Sequence, residues 1–193
     1  MGLVIIDYET GNVQSLKYAL RRLGIDPELS RDPEVIQSAD KVILPGVGAA
    51  APAMASLKKF GLDEMVKTLT QPTLGVCLGM QIMCAHSEEG NTPCLGIFDL
   101  PVKKFEEKLK VPHMGWNSIS NLETPLYQDI QEGSFTYFVH SYFVPKGDST
   151  IAETDYILPF SAAIQRNNFY ACQFHPEKSG DVGSRILKNF VEL

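Results

Sequence analysis

The stretch Thr73-Leu74-Gly75-Val76-Cys77-Leu78-Gly79-Met80-Gln81 joins an apolar run typical of a buried strand to the beginning of a helical pattern. A single cysteine lies at the junction, within the pattern Gly-x-Cys-x-Gly. This pattern is typical of a nucleophile elbow, in which a sharp strand-to-helix turn presents a reactive side chain. A crowded turn leaves no room for a Cβ atom on either side of the nucleophile, which explains both glycines. The pattern therefore predicts that Cys77 is a nucleophile, and the N-terminus of the following helix would favour its thiolate.

Length and composition indicate an ordinary globular protein. The chain has 193 residues, enough for a large core, and we expect a single domain over residues 1–193. Hydrophobic residues make up 44% and charged residues 21% of the sequence, as in typical globular proteins. The formal net charge is −6 and no basic run is present, so nucleic acid is a poor candidate partner.

The sequence shows no sign of a membrane or secreted protein. No apolar stretch approaches the roughly 20 residues of a membrane-spanning helix. Met1-Gly2-Leu3-Val4-Ile5-Ile6-Asp7 lacks a basic region and favours a first strand over a signal peptide. The cysteines form no Cys-x-x-Cys pair, so we expect reduced thiols in a cytoplasm. They are Cys77, Cys84, Cys94 and Cys172.

Alternating strand and helix patterns in the first half predict an α/β fold with a doubly wound, mostly parallel sheet. Short apolar runs at Leu3–Asp7, Lys41–Leu44 and Thr73–Val76 predict buried parallel strands. A helical pattern follows each of these runs, and Gly24 ends the first helix. We predict helices over Val13–Leu23, Ala49–Phe60, Leu62–Leu69 and Gly79–His86, and a loop over Ser30–Pro33.

After Ser87 the sequence changes to short segments rich in aromatic and β-branched residues. Such segments predict short antiparallel strands added to the parallel core. The chain then ends in an amphipathic helical pattern that begins after Gly180. The predicted added strands are Val102–Phe105, Trp116–Ile119, Phe135–Val144 and Phe169–Phe174.

A cysteine nucleophile needs a base, and His175 has the most suitable neighbourhood among the four histidines. In an extended segment, residues i and i+2 face the same way, so Glu177 can lie beside the imidazole. A carboxylate at one ring nitrogen fixes the tautomer and leaves the other nitrogen free to take the thiol proton. His140 is the competing candidate, but no carboxylate follows it at i+2.

Acyl transfer also needs donors for an oxyanion. The N–H of Leu78, the residue after the nucleophile, is one predicted donor. The second is predicted in the turn Pro45-Gly46-Val47-Gly48, where Val47 or Gly48 would present its N–H. This turn follows a predicted strand, a place where open α/β sheets bind ligands, although a simple connecting turn is the alternative.

Two motifs together resemble the class I glutamine amidotransferases, namely Gly75-Val76-Cys77-Leu78-Gly79-Met80-Gln81 and Phe174-His175-Pro176-Glu177. The resemblance covers essentially the whole chain. One mild departure is Ala49-Ala50-Ala51, where a bulkier apolar residue is usual after the Gly-rich turn. Three segments narrow the resemblance to the glutaminase subunits of imidazole glycerol phosphate synthase: His113-Met114-Gly115-Trp116-Asn117, Tyr137-Phe138-Val139-His140-Ser141-Tyr142 and Gln173-Phe174-His175-Pro176-Glu177-Lys178-Ser179.

The resemblance implies a flavodoxin-like fold and the hydrolysis of L-glutamine to glutamate and ammonia, with no cofactor and no metal. A triad of Cys77, His175 and Glu177 would perform this reaction. By this resemblance Gln81 would bind the amino-acid head group, which fits its position one helical turn after the nucleophile, although a surface glutamine is the alternative. The substrate-binding set implied by the family is Gly48, Gln81, Ser141 and Tyr142.

The resemblance also implies a partner, a (β/α)8-barrel cyclase subunit (HisF) in a heterodimer. The cyclase would use channelled ammonia to make imidazole glycerol phosphate and AICAR in histidine biosynthesis. A sealed interface makes physical sense, because ammonia in bulk water at neutral pH would be protonated and lost. Family positions near that interface are Asn12, Trp116, Asn117 and Lys178, with a helix cap, a core tryptophan and a solvated lysine as the alternatives for Asn12, Trp116 and Lys178.

Four other functions stay open at this point. The same triad could serve a γ-glutamyl hydrolase or cysteine peptidase, or a glutaminase that feeds a different cyclase. A catalytically silent regulatory subunit is a third possibility, although it would not need the intact triad. A metal site on Cys172-x-x-His175 ranks last, since it lacks the second ligand pair of a structural zinc site.

Overall fold

The computed structural model describes residues 2–9, 13–106 and 109–193. None of the helices in these ranges has the length and apolar character needed to cross a membrane. The helices are α1 (Val13–Arg22), α2 (Pro33–Ser38), α3 (Ala50–Lys59), α4 (Leu62–Lys67), α5 (Leu78–Met83) and α6 (Gly180–Glu192). The strands are β1 (Leu3–Ile6), β2 (Glu28–Ser30), β3 (Lys41–Leu44), β4 (Thr73–Val76), β5 (Cys84–Ser87), β6 (Thr92–Pro93), β7 (Phe98–Lys104), β8 (His113–Ser118), β9 (Phe135–His140), β10 (Tyr142–Phe143), β11 (Thr150–Tyr156), β12 (Leu158–Arg166) and β13 (Phe169–Cys172).

The central sheet has seven strands in the order β11-β12-β13-β4-β3-β1-β2. The strands β13, β4, β3, β1 and β2 are parallel to one another. The strands β12 and β11 extend the sheet beyond β13 with antiparallel pairing. The order β2-β1-β3-β4 is that of a flavodoxin-like doubly wound sheet, in which ligands bind beyond the carboxyl ends of the strands. This topology confirms the predicted α/β fold class with added antiparallel strands. The segment Phe169–Phe174, predicted among the added antiparallel strands, instead contains β13, which is parallel to β4 and antiparallel only to β12.

Both faces of the central sheet are covered, which explains why its strands are apolar without interruption. Side chains alternate between the faces of a strand. Val4 and Ile6 of β1 pack on one face, in the core that α3 and α4 complete. Leu3 and Ile5 pack on the other face, in the core that includes residues of α1 and α6. Full burial of each such side chain contributes about 1.5–3 kcal/mol.

Two smaller sheets lie beside the central one. Strands β8 and β9 form an antiparallel hairpin that pairs His113 with His140 and Ser118 with Phe135. The order β10-β7-β5-β6 describes the other sheet. The segment Phe135–Val144, predicted to form antiparallel strand, contains two strands, because the chain changes sheets at Ser141. This break leaves Ser141 between β9 and β10.

Two further boundary predictions were wrong. The predicted helix over Gly79–His86 ends at Met83, because the chain becomes extended at Cys84 and enters β5 of the second sheet. Apolar periodicity alone does not separate a short buried helix from a short buried strand. The predicted loop over Ser30–Pro33 is shorter in the structure, because Ser30 belongs to β2 and Pro33 begins α2. The side chain of Asp32 caps the N-terminus of α2.

Candidate active site

Cys77 lies on the turn between β4 and α5 with φ 53° and ψ −106°. A positive φ is uncommon for a residue other than glycine, and such strain is concentrated at functional sites. A Cβ atom at Gly79 would lie 2.1 Å from the Leu44 carbonyl oxygen, and one at Gly75 would lie 2.8 Å from the Met83 sulfur. The turn thus has the geometry of a nucleophile elbow, and both glycines are required by close packing.

His175 and Glu177 form a buried pair on the segment after β13. The Nδ1 atom of His175 is 2.8 Å from Oε1 of Glu177, and their side chains are 3% and 7% exposed. The residues meet because a 3-10 turn at Pro176–Lys178 folds the chain back, and not because of an extended i, i+2 arrangement. Ser179 holds this turn by donating to the His175 carbonyl at 2.6 Å and accepting from the Tyr137 N–H at 3.0 Å.

The electrostatic surroundings of His175 favour its protonated form. Burial lowers the pKa of His175, but interactions with the Cys77 sulfur and the Glu177 carboxylate outweigh burial and raise this pKa to about 9. An imidazolium at neutral pH stabilises a nearby thiolate. The arrangement can therefore hold a charged nucleophile and a proton donor beside each other.

The other three cysteines are in surroundings that oppose reactivity. Burial raises the pKa of Cys84 and of Cys172, and it raises the pKa of Cys94 to about 11. A high thiol pKa keeps the sulfur protonated and a poor nucleophile. Cys77 differs because its side chain lines a cavity.

A cavity of about 270 Å³ brings most of the predicted site residues together. This volume is near the lower end of small-molecule pockets, roughly 300 Å³. The cavity lies beyond the carboxyl end of β4, where the fold class predicts a ligand. Its lining includes Cys77 and His175, the three predicted oxyanion residues Val47, Gly48 and Leu78, and the predicted substrate contacts Gln81, Ser141 and Tyr142.

The two sides of the predicted oxyanion hole differ in exposure. Leu78 is buried at the beginning of α5, directly after the nucleophile. Val47 is 41% exposed, and Gly48 has a φ of +100° that favours glycine. All three line the cavity next to Cys77, so the residues of the predicted oxyanion hole meet at one place from two different loops.

The structure adds a carboxylate that the sequence did not single out. Glu89 lines the same cavity as Cys77, and its Oε2 accepts from the Ala50 N–H at 2.8 Å. Because Ala50 begins α3, the Glu89 carboxylate occupies the positive end of that helix. Glu89 lies in a short turn without a motif, so no signal in the sequence marked it.

The sequence also did not predict a pair of buried histidines beside the cavity, His113 and His140, of which His140 lines it. His140 Nδ1 is 2.8 Å from the Tyr142 carbonyl, and His113 Nδ1 is 3.0 Å from His140 Nε2. A carbonyl only accepts, so His140 carries its proton on Nδ1 and accepts from His113 through Nε2. Burial lowers the pKa of His113 to about 4 and the pKa of His140 to about 3. His140 is thus neutral with both nitrogens bonded, which argues against the alternative that it is the base.

A match to a known protein family covers all the residues of this site. Residues 4–193 match the family "Glutamine amidotransferase class-I". The chain belongs to the class-I glutamine amidotransferase family.

Relatives of this amidotransferase share its full length. A protein named imidazole glycerol phosphate synthase subunit HisH from Bacteroides fragilis is 56% identical over 196 residues, with 100% of both chains covered. The proteins of the same name from Vibrio parahaemolyticus and Pectobacterium atrosepticum are 48% and 47% identical. The Vibrio alignment covers 99% of this chain and 98% of the relative, and the Pectobacterium alignment covers 100% of both.

Solved structures support the fold. A crystal structure of a glutamine amidotransferase has a TM-score of 0.78 at 20% identity and covers 99% of this chain and 98% of that one. A glutamine amidotransferase from Thermotoga maritima has a TM-score of 0.66 at 15% identity, with 100% and 81% covered. At such low identity these likenesses show the fold alone, a class-I glutamine amidotransferase fold.

An apolar patch lies on the outer face of the β8–β9 hairpin of this amidotransferase. Met114, Trp116 and Phe135 are 62%, 55% and 57% exposed. Trp116 contacts the Tyr137 ring edge to face at 6.1 Å between centroids, and the Lys178 ammonium is 6.0 Å from the same ring. The exposure of Trp116 excludes the alternative of a core tryptophan, and exposed apolar patches mark interaction surfaces.

The other predicted interface residues have different surroundings. Asn117 is half-buried, and its amide donates to the Asp155 carbonyl at 2.9 Å near the surface. Lys178 is exposed next to the buried Glu177. Asn12 lies outside the described residues.

The structure does not support the alternative of a metal site. Within the described residues, no group of three or more histidine, cysteine, aspartate or glutamate side chains could hold a metal ion. The thiol of Cys172 points instead to the Phe174 carbonyl at 3.5 Å.

Proposed function

We propose that this amidotransferase is the glutaminase subunit of an imidazole glycerol phosphate synthase and hydrolyses L-glutamine through Cys77, His175 and Glu177. The observation that carries the proposal is the meeting of a strained cysteine and a buried His–Glu pair at one cavity. Full-length similarity to HisH subunits supports the choice of glutamine as substrate.

The chemical steps follow from the charges of the three groups. The Cys77 thiolate attacks the side-chain amide carbon of glutamine, and backbone N–H groups of Leu78 and of Val47 or Gly48 stabilise the resulting oxyanion. The His175 imidazolium gives its proton to the departing nitrogen, which leaves as ammonia. Water then attacks the γ-glutamyl thioester while His175 takes a proton from it, and glutamate leaves as the thiolate returns. Glu177 stabilises the imidazolium throughout.

The substrate's head group has specific partners in the proposal. The Gln81 amide nitrogen donates to the Tyr142 carbonyl and to Gln173, both at 3.0 Å, so its carbonyl oxygen is left for the α-ammonium group. The Glu89 carboxylate adds a negative charge for the same group. Backbone groups of Gly48, Ser141 and Tyr142 would complete the binding site.

The proposed partner is a (β/α)8-barrel cyclase subunit, HisF, which would receive the ammonia and form imidazole glycerol phosphate and AICAR. The apolar patch with Trp116 supports a protein interface, and Asn12, Asn117 and Lys178 would join it. The turn that carries Lys178 also carries Glu177, so this interface would lie next to the catalytic pair. Four unpaired cysteines fit a cytoplasmic assembly.

The test is to assemble the chain with the cyclase subunit and the cyclase's nucleotide ligand. Glutamate release and imidazole glycerol phosphate formation should both depend on glutamine. In Cys77→Ala, the glutamine-dependent reaction should be lost while formation from added ammonium salts continues, because the cyclase is untouched. Glutamate release that persists in Cys77→Ala would refute the mechanism. Turnover of γ-glutamyl peptides without the cyclase would favour the hydrolase alternative instead.

A further inference from the structure

We propose that Gln173 is a further catalytic residue, whose side-chain N–H donates a hydrogen bond to the Cys77 sulfur and stabilises its thiolate. The role rests on the proposed function, since it concerns the same nucleophile. Gln173 follows β13 and is fully buried. Its Nε2 lies 3.7 Å from the sulfur of Cys77, within reach of an N–H···S hydrogen bond.

The direction of this hydrogen bond follows from the hydrogen bonds that the side-chain amides of Gln81 and Gln173 make with each other and with the backbone. The Gln81 amide is 3.0 Å from the Tyr142 backbone carbonyl, which only accepts, so Gln81 must present its NH₂ group there. The same NH₂ group is 3.0 Å from the Gln173 amide, which must therefore offer its oxygen. The nitrogen of Gln173 is then the atom that faces the sulfur. The assignment of both amides thus follows from one backbone carbonyl.

The Tyr142 carbonyl, at which this series of hydrogen bonds begins, is itself held in place. The Tyr142 carbonyl also accepts from His140 Nδ1 at 2.8 Å, so two donors fix its position. The path from this carbonyl through Gln81 and Gln173 ends at the nucleophile. Gln173 acts on the sulfur from the interior, whereas the substrate reaches the sulfur from the cavity that Gln81 lines.

The chemistry favours the charged form of the sulfur. Hydrogen bonds to an ionised acceptor are about twice as strong as neutral ones, so the donor stabilises the thiolate more than the thiol. In the thiol form, the sulfur also lies 3.9 Å from the Val139 carbonyl, a weak acceptor contact that the thiolate does not use. Other titratable groups around the sulfur are His175, His140 and Glu89 at the cavity and the buried Cys172 behind it.

The test measures the pH dependence of Cys77 alkylation by iodoacetamide, read by peptide mass spectrometry on the chain alone. It needs neither glutamine nor a cyclase, so its outcome is separate from that of the glutaminase assay. Gln173→Met keeps the size of the side chain and removes the donor. We expect its alkylation below the midpoint of the wild-type profile to slow by about tenfold, the loss typical of a hydrogen bond to a charged group. The midpoint of the profile should move to higher pH, and the rates should converge in alkaline solution.

Two further variants sharpen the test. Gln173→Glu places a carboxylate beside the sulfur and should shift the midpoint further than Gln173→Met does. Gln165→Met, on the neighbouring strand β12, is the matched control, because its amide bonds the Asn167 carbonyl, at 3.3 Å, in place of the sulfur. Its profile should equal that of the wild type.

Folding is checked by circular dichroism and thermal unfolding of each variant. If Gln173→Met does not fold, Gln81→Met serves in its place, since it frees the Gln173 amide to turn over and should give a smaller shift in the same direction. An unchanged profile in a folded Gln173→Met, or in Gln81→Met when it is the substitute, would overturn the proposal even if the glutaminase reaction is confirmed.

Discussion

The Nδ1 atom of His175 lies 2.8 Å from Oε1 of Glu177, and both side chains are almost completely shielded from solvent. Within the described residues, the second carboxylate oxygen of Glu177 has no hydrogen-bond partner. The imidazole is therefore the main group that stabilises this carboxylate, and the carboxylate in turn fixes the tautomer of the ring. Loss of either group should impair the other.

Glu177→Gln should lower the rate of glutamate release strongly while keeping the side-chain shape. The amide that replaces the carboxylate could present an N–H to Nδ1 and so favour the wrong tautomer of His175. We expect a loss of up to roughly 10⁴-fold in kcat, the loss seen when a triad carboxylate is neutralised. Glu64→Gln, on the exposed end of an ion pair with Lys67, is the control and should leave the rate unchanged.

His175 should titrate near pH 9 in the folded protein, which NMR of the labelled imidazole can measure. Its pKa of about 9 lies above the ordinary value of 6.5 because of Cys77 and Glu177. The contribution of the pair to stability is therefore complete below pH 6.5 and is lost as the pH rises through about 9. In Cys77→Ala, one of the raising interactions disappears, so the titration midpoint should fall. A midpoint near 6.5 in the wild type would contradict this electrostatic account.

Acid should destabilise the protein through His113 and His140. Their folded pKa values of about 4 and about 3 lie below 6.5, so the unfolded chain binds protons that the native state excludes. The free energy of unfolding should fall as the pH drops below 6.5, by about 1.4 kcal/mol per pH unit for each histidine. Urea unfolding between about pH 4.5 and 6.5 measures the slope.

A histidine variant identifies the source of that slope. His113→Gln should reduce the slope of the free energy of unfolding against pH by the contribution of about one bound proton. His86→Gln, in the second sheet, is the comparison and should leave the slope from the buried pair in place. Equal slopes in the wild type and His113→Gln would show that the acid sensitivity arises elsewhere.

Gly183→Ala should disturb, from the side of α6, the turn that carries His175 and Glu177. A Cβ atom at Gly183 would lie 1.9 Å from the Pro176 carbonyl oxygen, so α6 or the turn after His175 has to move. Overpacking of this kind typically costs about 1–3 kcal/mol. Thermal unfolding should show a lower midpoint, and glutamate release should fall with it. Ser184→Ala, half-buried on the same helix, should change neither quantity appreciably.

The sequence predicted the parts of the fold and site that depend on local patterns. The apolar runs at β1, β3 and β4 matched buried parallel strands because each is covered on both faces. The strained turn at Cys77 could be expected from its glycines, since close packing against the Leu44 carbonyl excludes a Cβ at Gly79. The local geometry of a motif that is contiguous in the sequence can be predicted, because neighbouring residues determine it.

Features that depend on distant contacts could not be predicted. The change of sheets at Ser141 follows from the pairing of β10 with β7, which leaves no local trace. The His113–His140 pair arises from the register of β8 against β9. Gln173 acquires its partners from α5 and from the elbow, far away in sequence. Glu89 reaches the cavity only because its turn packs against the beginning of α3.

The central claim is that the sulfur of Cys77 attacks glutamine with the help of His175. The most direct measurement is to quench the complex with cyclase and nucleotide ligand in acid during turnover of labelled glutamine, and to map the label by peptide mass spectrometry. The account predicts a γ-glutamyl thioester on the peptide that contains Cys77, and none on peptides that contain Cys84, Cys94 or Cys172. Label on another cysteine would contradict it. So would glutamate release with no adduct on Cys77, both in the wild type and in Glu177→Gln, where thioester hydrolysis is slowed.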